Sequence, residues 1–166
     1  AITCGMGGIG DLRGEELCPD LPALMNIPVA LISTSPKDML DRPATLDWLR
    51  RHGVHTAGEP CTGYLFCGEP VALELPLSSC NNEAAVRRLT ANGGLLLLNP
   101  IPEKERVQDR SILVDAIKAG KQAEAEGHYY HPAANGEIDR RTGGYSSRIQ
   151  LESIQQNYLL AKSIMD

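Results

Sequence analysis

Four consecutive leucines, Leu95–Leu98, constrain the fold of this chain more than any other feature of its sequence. The glycine pair Gly93-Gly94 stops whatever precedes the run. The two prolines of Asn99-Pro100-Ile101-Pro102 make a rigid loop directly after it. A continuous apolar run of this length predicts a strand covered on both faces, so other elements must lie above and below it.

Strands and helices alternate along the rest of the chain. Further strands are predicted at 28–32 and 54–57, with two short ones at 64–66 and 71–75. Helices are predicted at 19–25, 43–51, 79–92, 109–127 and 146–164, and Ser35-Pro36 is a further possible helix start. Residues 128–144 are predicted to be irregular, apart from one helical turn at 137–141. This alternation predicts an α/β fold with three α/β/α layers and a mixed sheet, built as one domain from residues 1–166.

The amino-acid composition limits which class of protein this chain can be and which kinds of partner it can bind. The 166 residues are 42% hydrophobic and 22% charged, which is typical of a globular protein. A net charge of −5 without a basic stripe argues against nucleic acid as a partner. No apolar run reaches membrane-spanning length and no signal peptide is evident, so we expect no membrane partner and a cytoplasmic location. The chain begins at Ala1 without a methionine, which is typical of a truncated, processed or partial sequence.

The cysteines predict no covalent framework. Five are present, without a Cys-x-x-Cys pair. An odd number without repeated spacings favours reduced thiols over a disulfide network or a structural zinc site.

Three early glycines, Gly5, Gly7 and Gly10, have the Gly-x-Gly-x-x-Gly spacing of dinucleotide-binding sites. In such sites the backbone N–H groups approach a pyrophosphate at the start of a helix. Residues 11–14 are a poor helix start, and the next predicted strand ends in Ser33-Thr34 rather than in an acidic residue. A tight glycine turn with positive φ angles is therefore the alternative interpretation.

Asn99 directly follows the leucine strand, where open α/β sheets bind their ligands. A rigid surface loop without a ligand is the alternative. His128 and His131, three residues apart, could meet a metal on one helical turn. No third ligand is near them in the sequence, so surface polar residues are the simpler interpretation.

The stretch from Gly93 to Glu103 resembles the NGGL…NPIPE signature of the pseudouridine-5'-phosphate glycosidases, also called the indigoidine synthase A-like family. Other segments resemble family motifs in the same order, namely the glycines and Arg-Gly of 7–14, Asp-Leu at 20–21, Gly-Val at 53–54 and Thr-Gly-Gly at 142–144. The resemblance covers nearly the whole chain and about the second half of a family member. It implies the family's α/β fold.

The resemblance also implies an activity and its residues. Family members reversibly cleave the C–C glycosidic bond of pseudouridine 5'-phosphate to uracil and ribose 5-phosphate. A lysine, which falls on Lys37, forms a Schiff base with the opened sugar, and an aspartate, which falls on Asp20, holds a divalent metal, usually manganese. An unprotonated lysine attacks carbonyls, and carboxylates suit hard cations. The residues implied to bind this sugar-phosphate or nucleotide substrate are Gly7, Gly8, Arg13, Asn99 and Gln150.

The sequence departs from the family where sugar and base would bind. Met6, Leu12 and Gln150 replace the family's threonine, histidine and asparagine. The family's catalytic glutamate and a further lysine belong to an N-terminal half that this chain does not match. We therefore expect a homotrimer, as in the family, or pairing with an N-terminal half, and no cleavage at the family's rate by this chain alone.

Simpler interpretations compete with these assignments. Lys37 could be a solvated lysine in the first turn of a helix, and Asp20 a helix-start acid favoured by the helix dipole. The leading function is that of a pseudouridine-5'-phosphate glycosidase that needs its other half. Two alternatives are a non-catalytic remnant or subunit that binds a sugar phosphate, and an enzyme that uses a dinucleotide.

Overall fold

Short parallel strands form the framework of the fold. The computed structural model describes residues 1–10 and 17–166. Within that part the strands are β1 (Gly5–Met6), β2 (Ala30–Ser33), β3 (Ser35–Pro36), β4 (His55–Gly58) and β5 (Leu95–Leu98). β2 and β4 flank β5 in parallel, in the order β2-β5-β4. The four leucines of β5 are at most 1% exposed, so the buried strand predicted from them is confirmed with the same bounds.

The first residues of the chain run beside β2 and form a separate two-stranded sheet, β1-β3. Ile2 forms a parallel bridge with Ile32, and β1 pairs in parallel with β3 a few residues further along. The N–H of Thr3 donates to the Ile32 carbonyl at 2.9 Å. Residues 1–6 therefore run alongside residues 30–36, and their end lies at the same edge of the sheet as the ends of β2 and β5.

Six helices are present in the described residues, together with two 3-10 turns. They are α1 (Asp20–Asn26), α2 (Arg42–Arg51), α3 (Glu83–Leu89), α4 (Ser111–Ala125), α5 (Tyr130–Arg141) and α6 (Tyr145–Met165), with the 3-10 turns at Leu77–Cys80 and Glu103–Glu105. The side chains of Asp41 and Asn82 cap α2 and α3, since they accept the N–H groups of Ala44 at 2.8 Å and Ala85 at 2.9 Å. None of the helices built from these residues combines the length and apolarity that crossing a membrane requires.

Helices cover both faces of the β2-β5-β4 sheet, which confirms the predicted three-layer arrangement. Successive side chains of a strand point to opposite faces, so the leucines of β5 divide between two clusters. The cluster with α1 and α2 includes Leu21, Leu24, Leu46, Leu49, Leu96 and Leu98. The cluster with α3 and the second half of α6 includes Ile32, Ala57, Leu95, Leu97 and Ile164, with Val86 and Leu160 packed against it.

A third cluster closes the fold near the carboxyl ends of the strands. α4 packs against α5 there, and a Cβ on Gly120 would lie 2.6 Å from the ring of Tyr130. The cluster also includes Phe66 and Ile101, from the loops after β4 and β5, and Ile149 from the start of α6. These elements form walls around the edge of the sheet where α/β proteins bind ligands.

Several local predictions are wrong. Ser35-Pro36 does not begin a helix, because both residues are buried in β3. Residues 130–141 are not irregular but form α5, which buries Tyr130, Ala134 and Ile138 at four-residue spacing. Pro132 and Gly136 disfavour a helix locally, and packing against α4 overrides them. The segments 64–66 and 71–75 form isolated bridges instead of strands.

The predicted strand directions differ from those in the structure. All ladders between the described strands are parallel. Antiparallel pairing among these residues is confined to the isolated bridges Ile9–Asp41 and Cys61–Val71. The ladders of the described strands are therefore parallel, and the mixed strand directions expected for the sheet are not found among them.

Candidate active site at the carboxyl ends of the strands

Lys37 follows β3 directly and is anchored through its backbone. Its N–H donates to the Met6 carbonyl at 3.1 Å, which fixes it beside the end of β1. The Lys37 side chain runs along Gly5, since a Cβ on that glycine would lie 3.2 Å from Lys37 Cγ. Lys37 is partly buried and does not lie in a helix, so the alternative of a solvated lysine in a first helical turn is wrong.

A small cavity brings Lys37 together with Gln150. It has a volume of about 30 Å³, and its lining includes Cys4, Gly5, Lys37, Tyr64, Asn135 and Gln150. The Tyr64 hydroxyl donates to Gln150 Oε1 at 3.0 Å, and Gln150 Nε2 donates to the Ser146 carbonyl at 3.2 Å. Burial raises the pKa of Tyr64, so its phenol keeps the proton that this bond uses. Lys37 and Gln150, predicted from the sequence as nucleophile and substrate-binding residue, thus line one cavity.

Asp38 fixes the turn that carries Lys37. Its carboxylate is buried and accepts three backbone N–H groups, from Tyr64 at 2.8 Å, Leu65 at 2.7 Å and Phe66 at 3.0 Å. Burial raises the pKa of Asp38, while these donors and Arg42, 3.8 Å away, act in the opposite direction. The carboxylate therefore joins the Lys37 turn to the segment that carries Tyr64.

One peptide group connects Lys37 to Asp20. The Met6 carbonyl accepts from Lys37 N–H, and the Gly7 N–H of the same peptide donates to Asp20 Oδ2 at 2.9 Å. Asp20 is exposed at the first residue of α1. The backbone N–H of Lys37 and the carboxylate of Asp20 thus bind opposite edges of a single peptide plane.

Gly7 and Gly8 are required by close packing. A Cβ on Gly7 would lie 2.8 Å from Cys18 Cβ, and one on Gly8 would lie 2.5 Å from Thr45 Oγ1. Neither glycine has a positive φ, so the interpretation as a left-handed glycine turn is wrong for them. Because both glycines face neighbouring side chains at close range, their packing does not favour the dinucleotide interpretation.

Asn99 belongs to a network of amide side chains. Its Nδ2 donates to Asn157 Oδ1 at 2.9 Å, and Asn157 Nδ2 donates to the Thr3 carbonyl at 2.8 Å and to Thr34 Oγ1 at 3.3 Å. Asn157 is fully buried. It therefore ties α6 to the ends of β5 and β2 and sets which way the Asn99 amide points.

A second cavity, of about 330 Å³, opens beside Asn99. Its lining includes Asn99, Pro100, Glu105, Glu152, Ser153 and Gln156. The loop after β5 is held by Arg106, which is 4% exposed and donates to the Ile101 carbonyl at 2.9 and 2.7 Å and to Thr62 Oγ1 at 2.9 Å. Asn99 therefore faces a different cavity from Lys37 and Gln150, and the start of α6 separates the two.

His131 adds a titratable group near Lys37. Burial and the charge of Lys37 lower the pKa of His131 to about 4, so its imidazole is neutral at physiological pH. His128 precedes α5, so the two histidines do not share the helical turn that a metal would need. Arg13 lies outside the described residues.

The described residues provide little for a metal beyond Asp20. Among residues 1–10 and 17–166, no group of three or more His, Cys, Asp or Glu side chains is arranged to hold an ion. A magnesium-like cation is often held by one or two carboxylates, with water and substrate oxygens completing its shell. Asp20, exposed at a helix start, fits the role of one such ligand but not that of a complete site.

The cavities and the polar residues that line them indicate a class of protein. A lysine, a glutamine and an asparagine gather beside cavities at the carboxyl ends of parallel strands, as in layered α/β proteins that bind small molecules. The chain belongs to the family described as "Indigoidine synthase A like protein", whose sequence profile matches residues 2–165.

Curated relatives carry the name pseudouridine-5'-phosphate glycosidase. Those of Methylobacterium nodulans, Escherichia coli and Geobacillus kaustophilus are 30%, 29% and 25% identical to this chain, and each alignment covers 98% of it. The alignments cover 52%, 56% and 58% of the three relatives. The chain thus spans somewhat more than half the length of the curated relatives it matches.

Two solved structures share the fold. One is the prealnumycin C-glycosynthase AlnA in complex with ribulose 5-phosphate, at 23% identity and a TM-score of 0.71, matched over 98% of this chain and 59% of that one. The other is an indigoidine synthase A-like protein from Thermotoga maritima, at 20% identity and a TM-score of 0.73, matched over 98% of this chain and 57% of that one. The likeness confirms the α/β fold expected from the resemblance.

The sequence assigned no role to three residues that organise this region, although Asn157 lies in a segment that resembles a family motif. Asn157 occupies a core position of α6, in line with Ile149, Ser153 and Ile164, and a polar residue in such a position is a usable signal. Asp38 and Tyr64 gave no comparable signal. Their partners lie 26 to 28 and 86 residues away along the chain.

Proposed function

We propose that this chain is a pseudouridine-5'-phosphate glycosidase-like unit that acts on the C–C glycosidic bond through Lys37, and that it needs a further segment for full activity. The observation that carries the proposal is the position of Lys37. Lys37 and Gln150 line one cavity at the carboxyl edge of the sheet, and the backbone N–H of Lys37 binds the peptide group that also binds Asp20. Family membership and the names of the relatives support the substrate class.

Lys37 would act as the nucleophile. Its unprotonated amine bonds to the anomeric carbon, and the bonds from that carbon to the ring oxygen and to the uracil carbon both break. Two protons, equal in number to those the amine loses, end on the ring oxygen and on the uracil carbon. The sugar remains as an imine on Lys37, and water releases ribose 5-phosphate and regenerates the amine.

The surrounding residues would orient the substrate. Gln150, held by Tyr64, would hydrogen-bond the opened sugar or the base. Asn99, held by Asn157, would present its amide oxygen from the neighbouring loop. Gly7, Gly8 and Arg13 are proposed for the substrate on the strength of the family resemblance alone. Arginine suits the phosphate, whereas the Gly7 N–H already donates to Asp20.

Asp20 is proposed to hold a divalent metal, manganese by resemblance. When bound, such an ion would supply Lewis-acid polarisation of sugar or phosphate oxygens. Asp20 itself would position it next to the Met6–Gly7 peptide, because its carboxylate already accepts the Gly7 N–H.

The proton for the uracil carbon is proposed to come from a segment equivalent to the part of the relatives that this chain does not match. General acid catalysis is typically worth about 10²–10⁴-fold. We therefore expect slow or no uracil release by the 166-residue chain and a large gain when that segment is supplied. A homotrimer, or pairing with an N-terminal half, and a cytoplasmic location belong to the same proposal.

Borohydride trapping tests the nucleophile. The chain is incubated with ribose 5-phosphate and reduced, and the adduct is located by mass spectrometry. We expect it on Lys37, no adduct on Lys37→Arg, and wild-type trapping by the control Lys118→Arg, since Lys118 lies exposed on α4. An adduct on another lysine, with Lys37 unmodified, would refute the assignment.

One observation favours a second candidate, a non-catalytic protein that binds a sugar phosphate. The cavity beside Lys37 has about 30 Å³, room for water but not for ribose 5-phosphate. The cavity beside Asn99 has about 330 Å³ and is not lined by Lys37, so a sugar phosphate could bind there without reaching the lysine. Under this alternative, calorimetry would detect ribose 5-phosphate binding to wild type and to Lys37→Arg equally, and trapping would yield no adduct. A uracil-release assay with and without the additional segment separates the two functions.

A further inference from the structure

A hydrogen bond between two distant segments forms one wall of the cavity beside Lys37. The Tyr64 hydroxyl donates to Gln150 Oε1 at 3.0 Å, and both residues line the cavity with Lys37. Tyr64 belongs to the loop after β4, and Gln150 lies in the second turn of α6. This wall is therefore a contact across 86 residues of chain and not part of one rigid element.

Tyr64 is the fixed member of the pair. Its backbone N–H donates to the Asp38 carboxylate at 2.8 Å, and the residue is only 4% exposed. Its ring lies against Gly5, because a Cβ on that glycine would lie 2.8 Å from Tyr64 Cε1 and 3.2 Å from Lys37 Cγ. The aromatic ring and the aliphatic part of the lysine thus approach the same glycine, and the core holds the ring in place.

Gln150 has more freedom to move. It is only partly buried, and its Nε2 donates to the Ser146 carbonyl at 3.2 Å, one turn earlier in α6. Several rotatable bonds separate its amide from the helix backbone, and changes of rotamer about such bonds are fast. Breaking the contact with Tyr64 therefore requires a rotation of the Gln150 side chain and no movement of the backbone.

The length of the side chain at position 150 decides whether this contact forms. Gln150 stands where the family resemblance places an asparagine, and it is longer by one carbon–carbon bond, about 1.5 Å. An asparagine on the same backbone would leave its amide oxygen on the order of 4.5 Å from the Tyr64 hydroxyl, beyond hydrogen-bond distance. The contact is therefore specific to the glutamine of this chain.

The closed cavity is small. Its volume of about 30 Å³ has room for one or two water molecules, or for a one-carbon molecule of similar size. A larger carbonyl compound that approaches Lys37 through this cavity needs Gln150 to turn away from Tyr64. The contact between Gln150 and Tyr64 thus controls how much space is open beside the lysine.

We propose that the Tyr64–Gln150 contact is a gate that limits the size of the carbonyl compounds that reach Lys37, and that Gln150 sets this limit. The inference rests on the proposed function in taking Lys37 as the reacting amine. A neutral hydrogen bond shifts an equilibrium about 2–10-fold, so the closed gate should slow the reaction of larger compounds by a factor of that order. A one-carbon aldehyde should react at the same rate whether the gate is open or closed.

Reductive alkylation of the whole chain with aldehydes of increasing size tests the gate. The unprotonated Lys37 amine bonds to the aldehyde carbon, its two protons leave with the carbonyl oxygen as water, and hydride from cyanoborohydride with a proton from solvent reduces the imine. The probes are formaldehyde, glycolaldehyde and ribose 5-phosphate. Mass spectrometry gives the rate at Lys37 relative to that at Lys118, which is exposed on α4 of the same molecule.

Two substitutions open the gate by different routes. Gln150→Asn shortens the amide, and Tyr64→Phe removes the hydroxyl but keeps the buried ring. In both variants glycolaldehyde should modify Lys37 about 2–10-fold faster than in wild type, while the rate with formaldehyde should change by less than about twofold. Gln155→Asn, exposed on α6 beside the other cavity, is the matched control and should react like wild type. A general loss of structure would speed the reaction of every probe, formaldehyde included.

Ribose 5-phosphate separates the gate from the proposed function. If both variants react faster with glycolaldehyde but none forms a ribose 5-phosphate adduct on Lys37, the gate stands and the proposed function fails. If ribose 5-phosphate modifies Lys37 while glycolaldehyde reacts equally with wild type and both variants, the gate is wrong and the nucleophile stands. Equal acceleration of formaldehyde and glycolaldehyde, or a Lys37 that no aldehyde modifies in any variant, would also overturn the gate.

Discussion

Replacing Asp38 with alanine should loosen the region around Lys37 and destabilise the whole fold. The buried carboxylate accepts the N–H groups of Tyr64, Leu65 and Phe66. Alanine leaves these three donors without an acceptor in a place that water reaches poorly. The Lys37 turn and the Tyr64 segment then lose the group that joins them.

The expected loss in the free energy of unfolding is a balance of opposing effects. Each buried donor left unsatisfied costs about 1–3 kcal/mol, so three of them cost roughly 3–9 kcal/mol. Removing a buried ion returns several kcal/mol of desolvation free energy. Arg42, 3.8 Å from the carboxylate, loses a partner as well. We expect a net loss of about 3 kcal/mol for Asp38→Ala, and about half of that for Asp38→Asn, whose amide keeps one acceptor oxygen.

Urea unfolding followed by circular dichroism measures this loss. The midpoint should fall while the slope of free energy against urea stays unchanged. Asp47→Ala is the control, because Asp47 pairs only with Arg50 and Arg51 at the surface in the described structure, and it should change stability by less than about 0.5 kcal/mol. If Asp38→Ala is as stable as the control, the three N–H bonds do not hold this region together, and the reasoning fails.

Three further perturbations test the site. Gly7→Ala should lower the free energy of unfolding in urea by about 1–3 kcal/mol, because the new Cβ would lie 2.8 Å from Cys18 Cβ. Adding Cys18→Gly to the same chain should recover part of this loss. If the effects of the two substitutions are simply additive, the contact is contradicted. Asn157→Ala should cost about 2–4 kcal/mol, since its buried amide makes three hydrogen bonds, and a change below about 0.5 kcal/mol would refute the network. The pKa of His131 is lowered from 6.5 to about 4, so the unfolded chain binds more protons in that window and stability is lost as pH falls through it. The melting temperature of His131→Gln should therefore decline less between pH 6.5 and 4 than that of wild type, and equal declines would exclude His131 as the cause.

Part of the site could be predicted because its determinants are local. Asn99 follows a strand that the sequence marks clearly, and carboxyl ends of parallel strands meet at one edge of the sheet. Lys37 was assigned through the family resemblance. Gln150 came from a motif resemblance alone, and its place in the Lys37 cavity is a finding of the structure. Whether these residues bind substrate stays a prediction.

The remainder of the site depends on contacts between distant segments. Tyr64 meets Gln150 across 86 residues, and Asn157 meets Thr3 across 154. Neither pairing has a local pattern, because a hydrogen bond between loops leaves no periodicity in the sequence. The same reason explains why Asp38, next to Lys37 in the chain, could not be recognised as the residue that holds the turn.

The sequence by itself determined the buried β5 strand, because four leucines between a glycine pair and two prolines allow little else. It also determined the start of α2, where Asp41 and Pro43 act within one turn. Only the tertiary structure decided that Ser35-Pro36 extends a sheet and that residues 130–141 form a helix. The local preferences of both segments are weak, and burial against β1 and α4 outweighs them, because hydrophobic packing over a whole element is larger than the propensity of a few residues.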